Sequence, residues 1–332
     1  MEYCIICGSK NVKEIYNNFP GYVENKFYEI FSCKDCDSHF INPEKIDNKL
    51  YDIIYSIKNV PGYNRYYEYA KIIKHEKNPL KYLSSKEPSY FPVYKYLRNK
   101  SKLKVLEVGC GYGYLTFALK KAGFDVVGID ISHDAIDFAI SNYGNYFYCR
   151  SIEDYINNTN EKYDLIVATE LIEHLPSTKI FFEQAKKILK DEGSILLTTP
   201  NKDYFKKDEV WKTDLPPIHV SWLGKKSFVE IAKQNGFKIE FVSFTDYYPK
   251  HENRLLKYLW LSIQRKPEHF ITEKGDWLIK DKSTHKKLIG TMLKWIMIQF
   301  SPIRFLSNLL SNLFLKEDNV LGVLLKRNQN TD

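Results

Sequence analysis

Val105-Leu106-Glu107-Val108-Gly109-Cys110-Gly111-Tyr112-Gly113 runs from an apolar strand into a glycine loop, and Phe117 to Lys121 read as part of the helix that follows. Glycines let the backbone approach a ligand closely, while the helix N-terminus faces it with unpaired N–H groups. A dinucleotide fingerprint requires G-x-G-x-x-G, and the position three after Gly111 is Tyr114, so the pyrophosphate-binding version fits poorly. Asp130, 21 residues after Gly109, ends a second apolar run, Val126-Val127-Gly128-Ile129-Asp130. A carboxylate there can accept both hydroxyls of a ribose. The loop alone is weak evidence; loop and acid at this spacing are strong evidence.

Outward from this stretch the chain alternates short apolar runs with amphipathic ones. Strands are expected at Lys104 to Val108, Val126 to Ile131, Asp164 to Thr169, Ser194 to Thr199 and Lys238 to Phe244. Helices are expected around Phe117 to Lys121, Ala135 to Ile140, Ile180 to Leu189 and Lys225 to Gln234. That alternation is the mark of an α/β fold with a parallel sheet. Val320 to Leu325 reads as one more strand, reached after an insertion that carries apolar helical stretches at Leu255 to Ile263 and Leu288 to Leu315. The expected organisation is a ribbon over 1–45, a Tyr- and Lys-rich helical linker over 46–102, a core over 103–246, the helical insertion over 247–318 and the final strand over 319–328.

Length and composition fit this reading. The chain has 332 residues, 44% hydrophobic and 27% charged, with 15 Gly and 13 Pro, which excludes collagen-like, disordered and disulfide-stapled classes. Its 49 Lys and Arg outnumber 41 Asp and Glu, a net of +8 that biases the surface toward anionic partners. The N-terminal Met-Glu-Tyr-Cys lacks a basic start and an apolar segment, and no C-terminal apolar run reaches spanning length, so a cytoplasmic protein is expected.

Four cysteines fall in the first 36 residues as Cys4-x2-Cys7 and Cys33-x2-Cys36, separated by 25 residues. This is zinc-ribbon spacing: two knuckles complete a tetrahedron of thiolates that a segment this small needs in place of a core. Gly8 follows the first knuckle, where a positive φ is easy, and His39 is expected at the surface. Cys110 and Cys149 have no partner at metal spacing and read as small buried residues.

From Glu107 to Gly113, Asp130, Tyr163 to Ala168, Glu170-Leu171-Ile172-Glu173-His174-Leu175 and Leu197 to Asn201, the chain resembles the class I S-adenosylmethionine (SAM)-dependent methyltransferases. The likeness runs from about Tyr63 to Phe244. It implies a Rossmann-like seven-stranded sheet whose last strand is antiparallel, with Val320 to Leu325 fitting that strand. It also implies that Gly109, Gly111 and Gly113 surround the methionine part of SAM, that Glu107 orients it, and that Asp130 holds the ribose. Ile131, Ser151, Ile152, Glu153 and Thr169 complete the implied cofactor set, Ser151 standing where an acid is usual after the third strand. The ribbon, with Phe31 before its third cysteine and Phe40-Ile41-Asn42-Pro43 after its fourth, looks like one found with sugar and surface-polysaccharide methyltransferases. Asp37 stands there in place of the usual glycine.

The resemblance implies an enzyme that methylates a sugar of a surface glycan or lipid-linked precursor. An RNA methyltransferase whose ribbon holds nucleic acid, and a non-catalytic SAM-binding scaffold, are the alternatives. Glu170, Glu173 and His174, at i, i+3 and i+4 of an expected helix turn, share one face and suit a second divalent ion. Quinone-pathway and small-RNA-end O-methyltransferases carry a similar Glu-x-x-Glu-His and use it that way, whereas many relatives keep the Glu-His pair for packing. His219 is the general-base candidate because an imidazole titrates near neutrality. Tyr63, Tyr66 and Tyr67 cover SAM, stack on a sugar ring or, as tyrosines at helical spacing more often do, pack in the core. The insertion, with Lys286, Lys287, Lys294, Arg304 and Lys316 beside apolar faces, suits either a packed core or peripheral contact of 250–316 with the inner membrane face. The oligomeric state has no signature.

Overall fold

A computed structural model describes residues 2–42, 64–204, 209–210, 214–251, 254–255, 258, 267–276, 278, 309–311 and 315–327. Tyr63, the remainder of the segment 43–63 and most of the two apolar stretches of the insertion lie outside them, and with them the expected membrane contact. No helix among the described residues is long and apolar enough to cross a membrane.

The N-terminal segment forms an antiparallel hairpin, β1 (Val12–Pro20) with β2 (Phe27–Cys33), followed by the two-residue β3 (His39–Phe40). The helices α1 (Asn64–Ile72), α2 (Pro79–Lys86) and α3 (Phe91–Leu97) come next. Asn78 caps α2 by accepting the Lys81 N–H, and Pro79 occupies the first turn, where a missing N–H costs nothing.

The core then alternates as expected: β4 (Lys104–Val108), α4 (Tyr114–Lys121), β5 (Asp125–Asp130), α5 (His133–Tyr143), β6 (Phe147–Cys149), α6 (Ile152–Asn157), β7 (Tyr163–Thr169), α7 (Thr178–Ile188) and β8 (Leu189–Pro200). After the short β9 (Ser221–Trp222) come α8 (Lys225–Asn235), β10 (Phe237–Phe241), α9 (Tyr248–His251) and β11 (Val320–Arg327). The seven-stranded sheet has the order β6-β5-β4-β7-β8-β11-β10. β4 to β8 are parallel, and β11 runs antiparallel to both of its neighbours. β8 begins earlier than its apolar run suggests because Leu189 pairs with Tyr163 before a polar bulge shifts the register to Leu165–Ser194.

Both faces of the sheet are buried. Leu165, Ile166, Val167 and Ala168 of β7 are all inaccessible, which is why that strand reads as a continuous apolar run rather than an alternating one. One face packs α2, α3 and α4, joining Leu83, Val93 and Leu119 to Val105 and Leu165. The other packs α7 and α8 and also the ribbon: Cys4, Phe31 and Phe40 share a cluster with Leu106, Phe228 and Ile231. Truncating a side chain such as Leu106, fully buried there, costs about 2–5 kcal/mol.

One expectation changes at the ribbon. His39, expected at the surface, is fully buried, because β3 is an inner strand of a four-stranded sheet ordered β1-β2-β3-β9. The two residues of β9 that pair with β3 lie far along the chain. Asp37 adopts φ +55°, the left-handed conformation for which glycine is the usual choice at that turn.

Candidate active site and thiolate cluster

The glycine loop follows β4 at the C-terminal edge of the sheet, where ligands of open parallel sheets bind. Gly109, Gly111 and Gly113 have φ of +75°, +48° and +74°. A side chain at Gly109 would meet Leu171 at 2.9 Å, and one at Gly113 would meet Phe147 at 2.5 Å; one at Gly111 meets nothing within 4 Å. Two of the glycines are therefore required by packing, and the third faces open space. Asp130, at the end of β5, accepts the Gly111 N–H on Oδ2 at 2.8 Å and the Ser132 N–H on Oδ1 at 2.9 Å. Each oxygen keeps a further lone pair for a ribose hydroxyl. Ile131 beside it is 66% exposed, an apolar surface next to the loop where an adenine could lie.

Glu107 is buried and accepts the Thr116 hydroxyl, and burial pushes its carboxyl up to about 8. Ser151 caps α6: its Oγ accepts the Asp154 N–H at 3.1 Å and donates to the Asp154 carboxylate at 2.8 Å. The hydroxyl expected near adenine is thus committed to its own helix. Ile152 and Glu153 begin that helix, and Thr169 closes β7 opposite Thr198. An open backbone at Gly111, a carboxylate with spare acceptors and an exposed apolar residue suit a nucleoside carrying an amino-acid part.

Beside this loop the structure gathers a second set of groups. Glu170 takes φ +51°, and Ile172–His174 is a single 3-10 turn, so Glu170, Glu173 and His174 do not share one α-helical face as expected. His219 joins Glu173 and His174 instead, all three ligand atoms lying within 4.8 Å of one another. The imidazoles of His174 and His219 meet edge to face at 4.7 Å. His174 Nδ1 is 2.7 Å from the Ile218 carbonyl, which makes Nδ1 the protonated nitrogen and leaves the Nε2 lone pair toward Glu173, 3.8 Å away. Neither Glu173 oxygen, nor His219 Nδ1, makes a hydrogen bond of normal geometry among the described residues. Burial raises Glu173 well above the carboxylate range, helped by Glu170, and lowers both histidines, His219 further because His174 faces it. Buried oxygen and nitrogen donors converging this way fit a divalent cation. Leu171 against Gly109 fixes the turn over the glycine loop, so the two sites adjoin.

Sequence pattern alone could not have grouped His219 with Glu173, because the 45 intervening residues cross a helix and a strand. Backbone pairing does it: the Val220 N–H donates to the Glu173 carbonyl at 2.9 Å.

The four ribbon cysteines converge as their spacing predicts, with Sγ–Sγ distances of 3.6 Å for Cys4–Cys36 and for Cys7–Cys33 and all four within 4.8 Å of one another. A tetrahedron with zinc–sulfur bonds of about 2.3 Å has edges of about 3.8 Å, so the thiols fit that ion, and they are too far apart for a disulfide. The Cys4 thiolate accepts from Cys36, which lowers Cys4 and raises Cys36, while burial pushes Cys7 up to about 12.

A family model described as a methyltransferase domain matches residues 82–241. Ubiquinone biosynthesis O-methyltransferase of Rattus norvegicus mitochondria is 29% identical over 194 residues, covering 51% of this chain and 56% of the relative. The enzyme of the same name from Hydrogenovibrio crunogenus is 32% identical over 136 residues, covering 39% and 52%. A solved SAM-dependent methyltransferase from Archaeoglobus fulgidus superposes with a TM-score of 0.42 at 18% identity, covering 71% of this chain and 93% of that one. The chain spans about half the length of the curated relatives it matches. These names overturn the expectation of a surface-glycan sugar methyltransferase in polysaccharide biosynthesis, which rested on about forty residues of ribbon. The residues matched by the methyltransferase-domain model, 82–241, carry β4 to β8 and β10 of the seven-stranded sheet, and β11 joins them from beyond the match.

Proposed function

We propose that the chain is a SAM-dependent O-methyltransferase acting on a hydroxyl of a small-molecule acceptor, of the kind its ubiquinone-biosynthesis relatives are named for, with Glu173, His174 and His219 at the acceptor oxygen. The observation that carries this reading is the convergence of those three side chains beside the glycine loop. Methyl transfer from a sulfonium is a direct displacement, so the protein must align the acceptor with the methyl and remove a proton. Gly109, Gly111 and Gly113 cradle the methionine part of SAM, Asp130 accepts from the ribose, Ile131 underlies the adenine, and Glu107 supports the loop through Thr116. Glu173, His174 and His219 together would hold a divalent cation, which when bound lowers the pKa of an acceptor hydroxyl. His219, kept neutral by burial, takes the hydroxyl proton directly if no ion is held. The four cysteines hold one zinc as a structural site, closed to substrate.

Single-turnover methylation of a dihydroxybenzene by the wild type, His174→Ala and His219→Ala tests this. Each variant should slow the step by about 10²-fold or more with SAM affinity unchanged. Activity that survives complete divalent-ion removal would leave His219 as base and dismiss the ion; equal rates in His219→Ala would dismiss both.

A further inference from the structure

His219 sits in the segment from Asp214 to Trp222, and the ribbon grips that segment on both sides of it. The Tyr22 N–H donates to the Pro216 carbonyl at 2.7 Å, and the Ile41 N–H donates to the Val220 carbonyl at 3.0 Å. β3 pairs antiparallel with β9, setting His39 against Trp222 and Phe40 against Ser221. Ile30 and Ile41 share one buried apolar cluster with Ile218, Val220 and Trp222. β3 is in turn fixed by the thiol site, since it starts three residues after Cys36 and the Cys33 N–H donates to the Ser38 carbonyl at 2.9 Å. The ribbon is also seated on the domain from behind. Ser227 Oγ donates to the Cys36 carbonyl at 2.9 Å and Gln234 Nε2 to the Cys7 carbonyl at 2.9 Å. The buried Lys202 ammonium lies 3.4 Å from Asp37.

We infer that the four-cysteine site is a positioning element for His219: the metal-held ribbon sets where that imidazole stands, and so whether Glu173, His174 and His219 come together. A hairpin of about forty residues has little core of its own, so the turn that leads into β3 depends on the bridged thiolates as well as on packing against the domain. Loss of the bridge frees β3, and with it the bonds to Pro216 and Val220 that flank His219. The buried Ile172–Glu173 turn keeps its place on the domain, but Glu173 and His174 then lose the Val220 N–H and the Ile218 carbonyl that tie them to the His219 segment. The inference rests on the proposed function only in treating His219 as a working residue.

Long-range proton–nitrogen spectra of the full chain with ¹⁵N-labelled histidine and tryptophan test it, after dialysis against a chelator that strips carboxylate- and imidazole-bound ions. His219→Gln and Trp222→Phe assign the two reporters; the buried Trp222 indole N–H donates to the Asp214 carbonyl at 3.2 Å and so reads the far end of the segment. Displacing zinc with an organic mercurial should shift the His219 imidazole and Trp222 indole signals, and thiol plus zinc should restore them. Ile41→Ala should keep one zinc per chain and unchanged SAM affinity, yet shift the same signals and lower kcat by about 10²-fold with a smaller change in KM. Ile41→Val should behave as the wild type. If zinc release unfolds the chain, read as lost SAM binding, Ile41→Ala decides alone. His219 signals that stay in place in Ile41→Ala would overturn the inference. A wild type that methylates no acceptor would instead sink the proposed function and leave this spectroscopic result standing.

Discussion

Replacing Gly111 by alanine separates a ligand-facing glycine from one needed only by the fold. Gly111, at φ +48°, has nothing within 4 Å of the place a Cβ would occupy; the same is true of Gly123, at φ +91°, on the turn after α4. Alanine in the left-handed region costs about 1–2 kcal/mol at either position with no steric term. A loss of that size lowers the melting midpoint by about 2–8 °C for a domain of this size. The two variants should therefore be equally destabilised. They should differ in cofactor binding, because only Gly111 lies beside Asp130, where the added methyl takes space required by SAM. Calorimetric titration should show SAM affinity at least about tenfold weaker in Gly111→Ala, or about 1.4 kcal/mol, and unchanged in Gly123→Ala. Gly113→Ala supplies the contrast: its Cβ would stand 2.5 Å from Phe147 and 2.7 Å from Ala139, both buried. Overpacking there adds about 1–3 kcal/mol, so it should melt lowest of the three. Wild-type SAM affinity in a folded Gly111→Ala protein would refute the placement of the cofactor.

Asp130→Ala removes the acceptor of two backbone N–H groups as well as the ribose contact, so it should lower stability by about 2 kcal/mol and weaken SAM binding by about 1.5–3 kcal/mol; unchanged affinity in calorimetry would free Asp130 of that role. Glu107, held up at about 8 by burial, binds its proton more tightly in the folded chain than in the unfolded one. Its contribution is fully present below the ordinary glutamate value and is lost as pH rises to about 8. Ligand-free wild type should thus lose stability relative to Glu107→Gln between pH 5 and pH 8, by an amount of the order of 4 kcal/mol, in unfolding midpoints measured across that range. Elemental analysis should find one zinc per chain, and a Cys4→Ser, Cys36→Ser double variant should lose it; full retention would end the thiolate assignment.

The chemistry-bearing stretches that were legible in the sequence are those whose signal is local. Gly109 to Gly113 and Asp130 lie at the ends of consecutive strands, so apolar runs and spacing placed them together. The paired Cys-x-x-Cys knuckles state their own partners. What escaped reading depends on contacts between distant segments. β9 is two residues long and has no periodicity, yet it joins the ribbon to the catalytic domain and carries the chain past His219. Glu170 leaves the expected helical face because the chain turns through a left-handed residue there, a conformation that glutamate does not advertise. His39 was expected at the surface for want of such a contact: a histidine in a polar stretch is buried once another strand covers it. The acceptor class was inferred from about forty residues of ribbon, and the ubiquinone-biosynthesis names of the relatives, matched over the domain instead, overturn it.

Methyl transfer from radiolabelled SAM, with the product identified by mass and NMR, tests the central claim most directly. With a dihydroxybenzene acceptor, the account predicts saturable release of S-adenosylhomocysteine matched by one new O–CH3 group, slowed by about 10²-fold or more in His219→Ala. No release above the acceptor-free blank across a panel of phenolic hydroxyls, or a methyl found on carbon or nitrogen, would contradict it.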